Sequence, residues 1–429
     1  MDKLFALTKH GTSVKGEFRA GIIGFFTLIY VVIINAQVLN VTGVPFESGI
    51  ISSVLATALG TILVGIFLNV PFQIAPAMGI NAFFAYGLVM TKTLTLSEAF
   101  TAITISGLLV LILSLTPILN YLNSSLSENF KLATRSGIGL YLILLGMESS
   151  NLVKINQHQF LKFSSFSNIN VLLVLGLLIF GIIMSLKTIK MNYFIVIVLG
   201  SVLFLVFGLS KIHLESTRGI WSAYEKIILP ITNSGLAKPH FWGAVLSITL
   251  TIIFETIGTV PIQLEEINNT ETSINKIGFF IGLSTIFASL LGTTATISAL
   301  ESDSAISAGG KTGLTNIFIG LFFCTSLLML PLYSFVAPLA TTPVLILIGI
   351  NMFKSIADIN ITNDKPNIFA AILMITMIPF SFSITTGMGI GFISYIIIKI
   401  AIGEAKKVSS ANWIISLLYL LMFLIQSFS

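Results

Sequence analysis

The sequence predicts an all-α polytopic membrane protein: about fourteen transmembrane segments in two inverted halves of seven. Three observations carry this. Only 9% of the 429 residues are charged and the mean hydropathy is +1.00, whereas soluble globular chains carry roughly 25% charged residues. So little charge cannot cover a water-facing surface, which excludes a soluble enzyme, a nucleic-acid binder and a disordered scaffold. The apolar residues fall in runs near the roughly 20 residues a helix needs to cross a bilayer. The basic residues are concentrated in alternate loops, as the positive-inside rule requires of a multi-pass chain.

In chain order the first half holds segments 18–39, 47–69, 74–90, 97–119, 130–152, 169–186 and 191–210. The second holds 241–263, 275–293, a short piece at 302–310, then 312–334, 337–356, 366–382 and 384–402. Between repeat 1–210 and repeat 241–402 lies the polar connector 211–240, with Glu215, Arg218, Trp221, Glu225 and Lys226. The C-terminal piece 403–429 contains a further apolar run, 412–428, whose placement the pattern leaves open. Trp221 and Trp242 read as interfacial anchors.

Charge sets the orientation. With Lys3, Lys9, Lys15 and Arg19 cytoplasmic, the inside loops gain Lys131, Arg135, Lys187, Lys190, Lys276, Lys311, Lys354, Lys365, Lys399, Lys406 and Lys407. Lys92, Lys154, Lys162, Lys211, Arg218, Lys226 and Lys238 fall outside, four of them in the long connector, where the rule is weaker. This topology accounts for the net charge of +5 without invoking nucleic acid. Met1-Asp2-Lys3-Leu4 lacks the layout of a cleavable signal, so a multi-pass cell-membrane protein with a cytoplasmic N-terminus is expected. Cys324, the single cysteine, offers no disulfide framework. An odd number of spans per half inverts the second against the first, the layout of an inverted-repeat transporter.

Two segments are abnormal, and they correspond. Ile74-Ala75-Pro76-Ala77-Met78-Gly79-Ile80-Asn81-Ala82-Phe83-Phe84 sets proline, glycine and an amide at membrane depth. Its partner, Gly292 to Asp303, is rich in Thr and Ser and ends on Glu301-Ser302-Asp303. Gly79 and Glu301 lie at nearly equal offsets from Phe18 and Phe241, where the halves begin. Interrupted segments at matching offsets point to a binding site near the midplane. A broken helix frees N–H groups and a positive dipole end for a polar ligand, and such backbone survives in a membrane only inside protein or along a cavity.

Acidic residues sharpen the assignment. Most fall in loops or at span ends, but Glu255, in Phe254-Glu255-Thr256-Ile257-Gly258-Thr259, lies well inside an apolar helix. A carboxylate there costs roughly 2.5–3.5 kcal/mol on insertion scales and usually faces a cavity or pathway. No lysine or arginine is expected at its depth, so it is either protonated, as a proton carrier would be, or bonded to a bound ligand. Glu301 and Asp303 are the other acids at depth, while Glu148 lies near a helix end. His10, His158, His213 and His240 all fall in loops or at span edges, so no metal site, cofactor or intramembrane enzyme chemistry is expected. Gly309-Gly310-Lys311-Thr312-Gly313 lacks the spacing and preceding strand of a phosphate loop and reads as a cytoplasmic turn.

These motifs resemble those of the Azg-like purine permeases, a branch of the nucleobase/ascorbate transporter superfamily, along essentially the whole chain. Asn35-Ala36-Gln37 is similar to the family's Asn-Pro-Gln stretch, Ala75 to Tyr86 to its third-span motif and Gly137-Ile138-Gly139-Leu140 to its fifth. Phe254 to Thr259 is similar to its eighth-span motif, with Glu255 where this branch normally has aspartate. Glu301 with Gly309 to Thr315 matches the tenth-span region, with Asp303 as an extra acid. The resemblance implies a core and a gate domain, with substrate between the broken third and tenth spans and against the eighth. It implies a secondary active importer of purine nucleobases (adenine, guanine or hypoxanthine) by proton symport.

Carried over, the purine contacts are Glu255, Glu301 and Asn81, with Gly79 allowing close approach. Phe83, Phe84, Thr259 and Ser302 are further candidates beside them, and Glu255, Glu301 and Asp303 are the candidates for proton coupling. The chemistry agrees: a purine is planar and neutral, with N–H donors for carboxylates and acceptors for amide or backbone N–H groups. The expected partners are the nucleobase, a proton and the lipid bilayer; a homodimer is a candidate assembly. A xanthine- or uracil-type permease is the nearest alternative. An anion transporter of the same architecture would want a cationic site, which Glu255 and Glu301 disfavour.

Overall fold

The computed structural model describes residues 2–154, 162–210, 217–269, 271–360 and 364–427. Among them, nine helices are long and apolar enough to cross a membrane, and five shorter apolar helices accompany them. In order, the first half runs α1 (Asp2–Phe5), α2 (Val14–Val41), α3 (Phe46–Leu68), β1 (Ile74–Pro76), α4 (Met78–Ala82) with a π-helical continuation Phe83–Val89, α5 (Leu96–Ser114), α6 (Ile118–Ser125) and α7 (Glu128–Ser149). A two-residue hairpin, β2 (Val153–Lys154) and β3 (Lys162–Phe163), precedes α8 (Ile169–Leu186) and α9 (Asn192–Val206); α10 (Thr217–Glu225) lies in the connector. The second half runs α11 (Pro239–Glu266), α12 (Ile274–Leu290), β4 (Thr296–Ser298), α13 (Ser302–Ser307), α14 (Gly313–Ser326), α15 (Leu330–Tyr333), α16 (Pro338–Phe353), α17 (Lys365–Phe380), α18 (Ile384–Ala401) and α19 (Ser410–Ser427).

Local chemistry sets many of these boundaries. Thr95 and Glu98 form a reciprocal capping box that starts α5, and Asn69 closes α3 in the left-handed conformation at φ 52°. Where a single span 97–119 is expected, α5 ends at Ser114 and Pro117 begins the short, separate α6; proline lacks the N–H to continue a helix. The span expected at 312–334 is likewise interrupted, by a 3₁₀ turn at Leu327–Met329 and by Pro331. The described part of the leftover run, 412–427, lies in α19, which packs on α18 and α11: Tyr419 stacks on Phe392 at 6.0 Å, and Ser247 Oγ donates to Met422 Sδ. The connector is pinned. Lys238 Nζ and Ser234 Oγ both donate to Glu98 Oε1 at 2.8 Å, and Leu229 N donates to Leu290 O at 2.7 Å. Of the residues named from sequence, Met1, His158, Lys211, His213 and Glu215 lie outside the described residues.

The helices sort into two packed groups. One contains α2, α3, α5, α11, α12 and α14; the other contains α7, α8, α9, α16, α17 and α18. In the second group α7 and α16 touch backbone to backbone, because a Cβ on Gly139 would stand 2.6 Å from Gly349 O and one on Gly349 the same distance from Gly139 O. Small residues are what let apolar helices approach so closely in a membrane.

At the centre of the first group, β1 and β4 pair antiparallel: Ile74 opposite Ser298, Ala75 opposite Ile297, Pro76 opposite Thr296. Ala77 N donates to Ala295 O and Ala299 N to Gln73 O, extending the ladder symmetrically. Each strand is held by a threonine of the helix before it. Thr61 Oγ1 exchanges bonds with the N–H and C=O of Ile74, at 3.0 and 3.2 Å, and Thr285 Oγ1 does the same for Thr296, at 3.2 and 3.1 Å. Irregular backbone at membrane depth is thus satisfied inside protein, as a bilayer requires.

Candidate functional site

The ladder points the helices that follow it, α4 and α13, at one small cavity of about 60 Å³, which α11 closes from the side. Tyr30, Gly79, Glu255, Glu301, Ile348 and Met352 are among its lining residues. Three residues singled out from sequence (Gly79, Glu255 and Glu301) therefore meet around one space, although they come from α4, α11 and the start of α13.

Gly79 explains itself by contact. A Cβ there would stand 3.0 Å from Ile384 Cδ1, 3.1 Å from Ile138 Cγ2 and 3.2 Å from Glu255 Oε1. Its absence lets the start of α4 close on the carboxyl group. The N-cap residue Ala77 offers no side chain to the first turn, and no acceptor is found among the described residues for the N–H groups of Met78, Gly79 and Ile80. Glu255 itself makes no hydrogen bond or ion pair with the described residues. Glu301 accepts a hydrogen bond from the buried Tyr30 hydroxyl. The cavity thus presents carboxylate acceptors on one side and free backbone donors on the other.

Approaches reach it from both faces. A cleft of about 300 Å³, lined by Thr27, Lys190, Tyr193, Glu301, Asp303 and Ser304, opens to the face that carries the lysine-rich loops. A narrower one of about 70 Å³ reaches Glu255 and Thr259 past Lys131 and Arg135. On the opposite face a cleft of about 370 Å³ touches the cavity at Met78 and is otherwise lined by residues such as Gln37, Glu47, Tyr86 and Thr341.

The other sequence candidates are placed elsewhere. Asn81 is fully buried and its Oδ1 accepts from Thr294 Oγ1, a hydroxyl that also lies 3.2 Å from Asn35 Oδ1. It fastens α4 to the approach of β4 and does not line the cavity. Ser302 Oγ accepts from Gln73 N at 2.9 Å and donates to Ala299 O at 2.7 Å, so it braces the ladder. Phe84 is fully buried against Phe100, ring centroids 4.9 Å apart, and the Phe83 ring leans over Gly87. Thr259 lines the narrow cleft and Asp303 the wide one. Among the described residues no His, Cys, Asp and Glu cluster could hold a metal.

Sequence reasoning missed two residues. Arg135 was assigned to an inside loop, and no cation was expected at membrane depth. Instead it sits two turns into α7 and lines the cleft that leads to Glu255. It ion-pairs with none of the described residues, and its Nε is buried without a partner. Tyr30, an aromatic in an apolar run, carried no sequence signal at all. The turn Gly309 to Gly313 also gains a role. The fully buried Glu17 carboxylate accepts from Lys311 N, Thr312 N, Thr315 N and Thr315 Oγ1, at 2.5 to 3.3 Å. The helix N-terminus that resembles an anion cradle is occupied by the chain's own anion.

Known proteins agree with this architecture. A model of the permease family matches residues 16–393. The nucleobase transporter PlAzg2 of Paenibacillus larvae is 32% identical over 88% of this chain and 76% of its own length. The guanine/hypoxanthine permease PbuO of Bacillus subtilis is 30% identical over 99% of this chain and all of its own, and the adenine permease AdeP of Escherichia coli is 30% identical over 98% and 95%. Among solved structures, the transmembrane domain of the cyanobacterial bicarbonate transporter BicA superposes with a TM-score of 0.65 at 13% identity, covering 88% of this chain and 96% of its own. The murine anion transporter Slc26a9 superposes with 0.67 at 14% identity, covering 90% and 68%; at such identities the likeness is one of fold. A family match across most of the sequence, on a helical bundle with paired broken segments, establishes that the chain belongs to the permease family.

Proposed function

We propose that this protein imports purine nucleobases by proton symport with alternating access. Membership of the permease family makes it a multi-pass membrane transporter, and relatives that match nearly its full length are named for guanine, hypoxanthine and adenine. The observation that carries the reading is the pairing in one cavity of two carboxyl groups, Glu255 and Glu301, with the uncapped N–H groups of α4. A neutral purine offers N–H donors to the acids and ring nitrogens or an exocyclic oxygen to the N–H groups. An anion would meet two carboxylates there; Arg135 lies in the cleft and not in the cavity.

Proton coupling follows from the same acids. Glu255 has no fixed partner among the described residues, so a proton and a purine N–H are alternative occupants of its acceptor sites. Clefts that approach the cavity from both faces, meeting it at Met78 on one side and at Glu255 and Glu301 on the other, are what an alternating-access carrier caught near the middle of its cycle would show. The bias of lysine and arginine supports a cytoplasmic N-terminus.

The test is uptake of labelled adenine, guanine, hypoxanthine, xanthine and uracil in a host stripped of its own nucleobase carriers. Purine uptake that rises as external pH falls, persists without sodium and collapses with a protonophore supports the proposal. Sodium-dependent uptake indifferent to the proton gradient would remove the coupling, and preference for xanthine or uracil would remove the substrate.

A further inference from the structure

Glu301 stands at a junction, lining both the inner cavity and the 300 Å³ cleft. It is the N-cap residue of α13 but makes no side-chain cap bond to that helix. Its own segment offers the carboxylate only its own backbone N–H, so no other group of α13 decides which space it faces. The group that does is Tyr30 of α2, 1% exposed, whose hydroxyl donates to Oε1. A phenol hydroxyl has one proton to give, and here it is given to the acid.

Tyr30 is in turn set by the other group of helices. Its ring meets that of Tyr193 on α9 edge to face, centroids 4.8 Å apart at 66°. Asn351 Nδ2 of α16 donates to the Tyr193 hydroxyl, and Asn351 Oδ1 accepts from Lys354 Nζ at 2.9 Å. Tyr193 lines the wide cleft beside Glu301, while Tyr30 lines the cavity. The two rings thus form the seam between the helix groups at the acid itself.

We propose that Tyr30 is the positioning residue of the site: it aims the Glu301 carboxylate into the cavity, and its contact with Tyr193 makes that aim depend on the placement of α9 and α16. A shift of those helices relative to α2 withdraws the supporting ring, freeing the phenol and with it the carboxylate to turn toward the wide cleft. Binding in the cavity and release through the cleft are then governed by one hydrogen bond. The proposal rests on the purine-carrier reading for its substrate, but not for its geometry.

The test uses Tyr30→Phe, which keeps the ring and removes only the hydroxyl, together with Tyr193→Leu, which removes the edge-to-face partner. Tyr333→Phe, a buried tyrosine bonded to Ser326, controls for loss of a buried hydroxyl. Tyr30→Phe should raise KM for hypoxanthine by roughly 10-fold or more, the effect of losing a hydrogen bond to a charged group, with the amount of folded protein unchanged. Tyr193→Leu should shift KM in the same direction, and the double variant should exceed Tyr30→Phe by little. A second arm needs no substrate: Glu301 in detergent-purified protein is labelled with dicyclohexylcarbodiimide and read by mass spectrometry. Tyr30→Phe and Tyr193→Leu should label several-fold faster than the wild type and Tyr333→Phe. Wild-type KM together with wild-type labelling in Tyr30→Phe would overturn the proposal. A wild type that carries no purine would overturn the substrate, and the labelling arm would still decide the role of Tyr30.

Discussion

The two broken segments share a backbone and differ in chemistry. Each runs from a threonine-anchored strand into a short helix, and the two strands face one another across a symmetric register. After β1 the chain supplies Met78, Gly79 and Ile80, with open N–H groups and no acid. After β4 it supplies Glu301 and Asp303, while the N–H groups of Ser302, Asp303 and Ser304 are spent on the carbonyls of Ala299, Leu300 and Glu301. One half offers donors and the other acceptors. An inverted repeat builds the space; unequal side chains in the two copies decide what the space can hold.

The comparison is broken most severely by removing charge from the acidic half. Glu301→Gln should cost about 1.5–3 kcal/mol of binding, roughly 10- to 150-fold in affinity, while the protein still reaches the membrane; unchanged uptake would take Glu301 out of the site. Glu255→Ala should abolish transport per folded molecule. Glu255→Asp should retain it with altered purine preference, because the acceptor survives but withdraws by about one C–C bond of roughly 1.5 Å. An alanine variant of normal specific activity would leave Glu255 a structural group.

The neutral half should respond differently at each position. Gly79→Ala places a methyl 3.2 Å from Glu255 Oε1 and 3.0 Å from Ile384, so a several-fold rise in KM is expected without loss of folded protein. Asn81→Ala removes the bond from Thr294 at a residue that does not line the cavity. It should lower stability by about 0.5–1.5 kcal/mol in a thermal unfolding assay and leave KM alone; a rise in KM at constant stability would return Asn81 to the substrate.

The smallest effect lies far from both segments. Glu404 accepts from Lys399 Nζ at 2.8 Å and Lys407 Nζ at 2.5 Å, and these hydrogen bonds hold its carboxyl down to about 2 from the usual 4.5. Because the folded value is the lower one, its stabilisation is fully present above pH 4.5 and is lost as pH falls toward 2. The melting temperatures of wild type and Glu404→Gln, compared between pH 6 and pH 3, should converge toward the acid end; a constant gap would contradict the pairing.

Fold class and the matched broken segments were legible because membrane depth is written in composition and because proline, glycine and amides stand out in apolar runs. Gly79, Glu255 and Glu301 were legible for the same reason: each is out of place unless a cavity explains it. Asn81, Ser302 and Phe84 are equally conspicuous in sequence, yet satisfying the ladder and filling space beside it need polar and aromatic groups too, and position alone cannot separate those duties. Arg135 was missed because a basic residue near the start of a span reads as loop charge, although it falls inside both the expected span 130–152 and α7. Tyr30 was missed because an aromatic residue in a span has no pattern that distinguishes a hydrogen-bond donor from a packing group.

The central claim is that acids of the second half, opposite the open backbone of the first, hold a purine. Equilibrium binding of tritiated hypoxanthine to purified wild type and Glu301→Gln, with unlabelled purines and uracil as competitors, tests it most directly. Saturable binding displaced by purines, ignored by uracil and weakened at least 10-fold in the variant is the predicted result. Equal binding by wild type and Glu301→Gln would contradict it.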